Sequence, residues 1–87
     1  MYGNQQIIHQ YHQFIKQTGY KYSKDDLGFY FDNGKNKFSI MKSGPSFICY
    51  FNVRENNDWI LKSKSHMMLQ FDEGLRWVLT NIQKNAN

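Results

Sequence analysis

The N-terminal part of the chain carries apolar residues with helical spacing. Between residues 4 and 18 they fall at positions i, i+1, i+4, i+7 and i+8, which form one face of a helix. These residues are Ile7, Ile8, Tyr11, Phe14 and Ile15. Asn4 suits the N-cap and Gly19 suits the position after the last turn, so the pattern predicts an amphipathic helix over residues 4–18.

Between residues 27 and 63 the apolar spacing changes to every second residue, as in half-buried strands. The predicted strands are residues 27–32, 37–42, 46–53 and 58–63. Asn33-Gly34 is a strong hairpin signal after the first strand, and Gly44-Pro45 marks a turn before the third. Short strands joined by short polar turns favour an antiparallel meander of three or four strands. Residues 20–22 allow one further short strand.

The C-terminal part returns to helical spacing and predicts a second helix over residues 66–84. Its apolar stripe consists of Met67, Met68, Phe71, Leu75, Val78, Leu79 and Ile82. Ser65 or Ser63 suits the N-cap, and Gly74 at the edge of the stripe indicates close approach of another element. We therefore expect a single α+β domain over residues 1–87, in which an N-terminal helix, the antiparallel meander and a C-terminal helix follow one another, with the helices packed on the sheet.

This order of elements resembles, in outline, the αβββα order of double-stranded RNA-binding domains. The basic segment before the second helix, with Lys62, Lys64 and His66, partly matches the basic cluster of that family. The alanine-rich second helix of the family is absent, because Met67 and Phe71 stand in that region. The resemblance implies a topology alone, and no functional residue is transferred from it.

Composition indicates a folded intracellular domain. Aromatic residues make up 17% of the 87 residues, which supplies large side chains for a small core. Cys49 is the only cysteine, so no internal disulfide can form, and its apolar neighbours predict a buried side chain. The N-terminus lacks the apolar region of a signal peptide, and no apolar run reaches the ~18 residues of a membrane span. We expect a cytoplasmic protein without membrane association.

No catalytic, metal or cofactor motif is recognisable in the sequence. His9 and His12 have a spacing that can share a metal ion, but a zinc site needs about four ligands and no second pair is present. The adjacent carboxylates Asp25 and Asp26 lack the further ligands of a calcium loop and favour a solvated turn. We therefore expect a non-enzyme with no cofactor and no small-molecule substrate.

One candidate anion site lies just before the predicted second helix. Lys62, Lys64 and Ser65 would place cations and a hydroxyl group beside the free N–H groups of a helix N-terminus, which suits phosphate. The alternative is serine capping with solvated lysines. The net charge of +4 permits an acidic partner and does not require one.

A second candidate site surrounds the first hairpin, where Lys35, Lys37 and Lys42 are close in sequence. Tyr30 and Tyr50, with Met41 and Ile48, would share the sheet face that points away from the core residues Phe29, Phe38 and Phe51. Aromatic rings beside lysines are the combination that binds single-stranded nucleic acid. The alternative is a helix packed on each face of the sheet, so that both faces are core.

A candidate protein interface lies along the second helix. Leu69 and Trp77 project away from the apolar stripe and form a second line with Glu73, beside Arg76. The alternative is that the first helix covers Trp77.

Two functions are compatible with these patterns. The first is a non-catalytic binding module acting through protein–protein contact or self-association, as an adaptor or inhibitor. Its compact Asn-, Lys- and Tyr-rich composition would suit an accessory protein of a phage or mobile element. The second is a basic nucleic-acid-binding domain that uses phosphate contacts and aromatic stacking.

Overall fold

The computed structural model describes residues 5–85 and contains two helices and five strands. The elements are α1 (Gln5–Gln17), β1 (Lys21–Lys24), β2 (Gly28–Asp32), β3 (Asn36–Ser43), β4 (Ser46–Glu55), β5 (Asp58–Lys64) and α2 (Phe71–Lys84). The strands form one antiparallel sheet in the order β1-β2-β3-β4-β5. The predicted α+β order of helix, meander and helix is confirmed, with five strands in place of three or four.

The additional strand is β1, which pairs with β2 and overlaps the short strand allowed at residues 20–22. Only Tyr22 among its four residues is half-buried, and the other three side chains are exposed. A strand with one apolar residue has no alternating pattern, so its identity depends on the partner strand rather than on local sequence.

The turn between β4 and β5 extends β4 two residues beyond its predicted end, whereas β5 begins at residue 58 as predicted. Asn56 and Asn57 have φ values of 53° and 68°, the left-handed pair that a two-residue type I′ hairpin requires. The polar residues Arg54 and Glu55 therefore belong to the strand ladder, opposite Trp59 and Asp58.

Helix α2 begins at Phe71, so the predicted start at residue 66 is wrong. Met68 instead forms a β-bridge with Phe47, with N–H···O distances of 2.8 and 2.7 Å in the two directions. These bonds engage the N–H and C=O groups of Met68, so these groups are not available for the hydrogen bonds of a helix. The helix starts after Gln70, whose N–H donates to the Glu73 carboxylate. Met67, placed in the apolar stripe by the sequence, is 57% exposed.

Both helices pack on the same face of the sheet. From α1, His12 lies edge-on to Tyr22 and Phe31, with ring centroids 4.3 and 5.3 Å apart. From α2, the ring centroid of Phe71 lies 4.4 Å from that of Phe29, which is on the same face of the sheet. The core is completed by fully buried side chains from both layers, among them Ile15, Phe38, Ile40, Cys49, Leu75 and Val78.

Gly74 brings α2 close to the sheet. A Cβ atom at this position would lie 3.1 Å from Ile40 Cγ2 and 3.3 Å from Cys49 Sγ, so the close approach predicted there is confirmed. Because both helices lie on this side, the alternative of one helix on each face is wrong. The opposite side of the sheet carries no helix among residues 5–85.

Candidate functional site

The sheet face turned away from the helices, which we call the open face, is built from every second residue of the five strands. The strand register aligns its side chains in two rows across all five strands and in a shorter row of Gly28, Met41 and Ile48 on β2, β3 and β4. The first row is Ser23, Tyr30, Ser39, Tyr50 and Lys64, and the second is Lys21, Asp32, Lys37, Asn52 and Leu61. Arg54 and Trp59 face each other beyond these rows, near the β4–β5 turn.

Aromatic rings of the open face are half-buried rather than part of the core. Tyr30 and Tyr50 lie on either side of Ser39, two strands and therefore about 10 Å apart. The prediction that both tyrosines share the face opposite Phe38 is confirmed by this register. Trp59 adds a third ring, so the face offers three aromatic surfaces from β2, β4 and β5.

Cations lie against these rings. Lys37 Nζ is 5.3 Å from the Tyr30 ring centroid and 5.8 Å from that of Trp59. Arg54 Cζ is 5.7 Å from the Trp59 centroid. Contacts of this length are favourable cation–π interactions, and they hold positive charge directly beside flat apolar surfaces.

Most of the net charge of the protein lies on the open face. Strand positions there carry the cations Lys21, Lys37, Arg54 and Lys64 and a single carboxylate, Asp32. The other seven cations of the chain are nearly balanced by its other six carboxylates. The strand positions of the open face therefore have an excess of three positive charges out of the total of four.

A shallow cavity of about 370 Å³ lies at the β1–β2 end of this face. Its lining includes Asp25, Tyr30, Asp32 and Lys37. The Tyr30 hydroxyl donates to Asp25 Oδ1 at 2.9 Å, and this hydrogen bond, with that from the Leu27 N–H, lowers the pKa of Asp25. The solvated turn predicted at Asp25 is confirmed, since Oδ1 also accepts the Gly28 N–H.

The predicted basic residues around the first hairpin do not form one patch. Lys37 lies on the open face, and Lys35 lies in the β2–β3 turn. Lys42 pairs with Phe47 on the helix side of the sheet, and its Nζ is 5.5 Å from the Phe29 ring. Grouping Lys42 with the other two is therefore wrong, because side chains five residues apart on a strand point to opposite faces.

The predicted anion site before the second helix is also wrong. Ser65 is buried, and its Oγ accepts the Cys49 N–H and donates to the His66 carbonyl oxygen, both at 2.8 Å. Lys62 Nζ pairs with Glu55 at 3.0 Å, and Lys64 lies opposite Tyr50 on the open face. The helix N-terminus is elsewhere, and its first turn carries the carboxylates of Asp72 and Glu73.

The candidate protein interface is rearranged by the later helix start. Leu69 is 72% exposed but precedes the helix, so it does not form a helical line with Glu73 and Trp77. Trp77 is half-buried, with its ring 6.3 Å from Phe38 of β3. Glu73, Arg76 and Trp77 share a groove of about 260 Å³ whose remaining lining is His66, Met68 and Thr80. Binding of a protein partner at this groove stays a prediction.

Other reactive groups have structural roles. The burial predicted for Cys49 is confirmed, and it raises the pKa of the Cys49 thiol to about 12. His9 is exposed, whereas His12 is half-buried against Tyr22. Among residues 5–85, no three His, Cys, Asp or Glu side chains are grouped as metal ligands would be.

Three members of the open face were missed in the sequence. Lys21 lies on β1, which has no alternating pattern. Arg54 lies in a segment that reads as a loop, and Trp59 could not be assigned to a face without the register of β5 against β4. The alternation of Trp59 and Leu61 predicts that these two residues share a face of the sheet, but it does not say whether that face is the open side or the helix side.

No helix among the residues that the structure describes is long and apolar enough to cross a membrane. Comparisons with protein-family models, curated proteins and solved structures found no match to this chain.

Proposed function

We propose that this protein is a non-catalytic domain that binds single-stranded nucleic acid on the open face. The observation that carries the proposal is the position of Lys37 between the rings of Tyr30 and Trp59, on a face whose strand positions hold most of the net positive charge. Bases stack on exposed aromatic rings while cations contact phosphates, and this combination is typical of such sites.

The preference for single strands follows from the geometry of stacking. A ring on a sheet surface can stack only on a base whose face is free, and the faces of paired bases are covered by their neighbours. Tyr30 and Tyr50, about 10 Å apart, offer separate platforms for bases of one extended strand. Lys21, Arg54 and Lys64 lie at the margins, where phosphates of that strand would pass.

Removal of one stacking ring tests the proposal directly. We expect Tyr50→Ala to weaken binding of an oligothymidylate of about 15 nucleotides by roughly tenfold, since each base–ring stack contributes about 1–3 kcal/mol. Tyr50→Phe should retain most of the affinity, because the ring rather than the hydroxyl provides the contact. Fluorescence anisotropy of a labelled oligonucleotide measures both.

Phe14→Ala is the matched control, since Phe14 is an exposed aromatic residue on α1, away from the open face. It should leave the affinity unchanged. The proposal fails if the wild-type protein does not bind the oligonucleotide at low salt, or if Phe14→Ala weakens binding as much as Tyr50→Ala.

Protein–protein association is a second candidate function, favoured by a separate observation. Strand β5 presents the apolar side chains Ile60 and Leu61 at an edge of the sheet.

A further inference from the structure

The two edges of the sheet differ in length and chemistry. β1 has four residues and a lysine at each end, Lys21 and Lys24. β5 has seven residues, and it exposes 40% of Ile60 and 53% of Leu61. Proteins usually shorten or charge their edge strands to prevent pairing with other chains, and only β1 follows this rule strictly.

We infer that β5 pairs antiparallel with β5 of a second copy, about a two-fold axis that is perpendicular to the sheet and passes midway between the two Ile60 residues. This association is independent of the nucleic-acid function proposed above. It would join two sheets of five strands edge to edge and place both open faces on the same side.

This register makes β5 complementary to itself. Ile60 lies opposite its own counterpart, Trp59 lies opposite Leu61, and Asp58 lies opposite Lys62 of the second copy. The faces also agree, because Trp59 and Leu61 lie on the open side while Asp58 and Ile60 lie on the helix side. Lys62 is the bulge residue and lines a cavity with Phe51, on the helix side.

The charges within one copy favour this arrangement. Asp58 lies opposite Glu55 across the hairpin, which places two carboxylates together. Lys62 pairs with Glu55 at 3.0 Å, and Asp58 has no ion pair within residues 5–85. Pairing of two copies supplies Asp58 with a cation on the neighbouring strand, twice in each dimer.

Neighbouring registers are less favourable. An axis through Trp59 would place Asp58 opposite the apolar Ile60. An axis through Leu61 would place Trp59, on the open side, opposite Ser63, which lies on the helix side because of the bulge at residue 62. Pairing of β1 with itself would set Lys21 opposite Lys24, which is repulsive.

A cysteine placed on the axis tests the register. In the full chain, Ile60→Cys puts two thiols directly opposite each other, where the Cβ separation of about 4.5–5.5 Å is close to disulfide geometry. We expect it to form a covalent dimer with oxidised glutathione, seen by non-reducing electrophoresis. Leu61→Cys is the matched control, because residue 61 faces Trp59 of the second copy and should crosslink far more slowly. The native Cys49 does not interfere, since its side chain is fully buried.

Charge reversal tests the complementarity without a crosslink. Asp58→Lys replaces two attractions by two repulsions and should raise the dimer dissociation constant roughly tenfold in sedimentation experiments. The double variant Asp58→Lys/Lys62→Asp should restore it, because each cation again faces a carboxylate. Circular dichroism confirms that each variant is folded.

Three results would overturn the inference. They are a wild-type protein that stays monomeric at the highest concentration reached, equal crosslinking of the two cysteine variants, and a double variant that associates no better than Asp58→Lys.

Discussion

The two faces of the sheet use aromatic residues in different ways. On the helix side the rings contact other rings, as where Phe38 stacks on Phe51 with centroids 4.6 Å apart and planes 9° from parallel. On the open side the rings contact cations, as where Lys37 lies over Tyr30. The same alternation of residues along one strand therefore produces a dry core and a charged aromatic surface.

Residue type distinguishes the faces better than hydrophobicity does. The open-face strand positions hold tyrosine and tryptophan but no phenylalanine, whereas five phenylalanines lie on the helix side of β2, β3 and β4. Tyrosine and tryptophan combine a large apolar ring with a polar group that can remain in contact with water. A sheet face that carries these two residues beside lysine is therefore suited to binding.

The largest difference between the faces should appear in stability. Phe38 is fully buried, and Phe38→Ala should lower the free energy of unfolding by about 3–5 kcal/mol because it leaves a cavity. Tyr50→Ala, on the open face, should cost no more than about 1 kcal/mol. Urea denaturation of both variants measures the contrast. Similar losses would mean that the open face is part of the core.

Adjacent residues at the end of β5 provide a second contrast. Ser65→Ala should cost about 1–3 kcal/mol of stability, because it leaves the buried Cys49 N–H without its acceptor. Lys64→Ala should leave stability nearly unchanged and weaken nucleic-acid binding, since Lys64 lies on the open face. These two predictions would be contradicted if the folded Ser65→Ala variant bound the oligonucleotide more weakly than the wild-type protein does.

Sequence alternation was sufficient to predict the shared face of Tyr30 and Tyr50, because side-chain direction in a strand depends only on the count of residues. It was insufficient at the start of α2. There the bridge between Met68 and Phe47 joins residues 21 positions apart in the chain, and local helical spacing contains no information about it. The misplaced anion site at Ser65 followed from that error, since the site depended on a helix N-terminus.

A smaller contrast concerns the salt dependence of binding. Lys37→Gln should reduce the slope of log affinity against log salt by about 0.7, the amount expected when a single strand loses one phosphate contact. Lys42→Gln removes an exposed cation of the opposite side and should leave the slope unchanged. Titrations of oligothymidylate at several salt concentrations give both slopes. Equal changes would indicate diffuse attraction to the whole protein rather than binding on the open face.

The smallest expected effect is the pH dependence from His12, on the helix side. Burial, followed by the nearby charges of Lys16 and His9, lowers the pKa of His12 below its ordinary value of 6.5. As the pH falls, the unfolded chain takes up this proton first, so stability should decrease below about pH 6.5 and level off once the folded protein is also protonated.

His12→Gln should flatten this part of the stability curve, measured by urea denaturation at a series of pH values. His9→Gln is the control, because the exposed His9 contributes only the weakest of the three causes and its removal should leave most of the slope. The ring of His12 lies edge-on to Tyr22 and Phe31, both on the covered side of the sheet. The same slope in both variants would show that α1 does not pack closely enough on the sheet to exclude water from this imidazole. That result would weaken the division of the sheet into a covered and an open face.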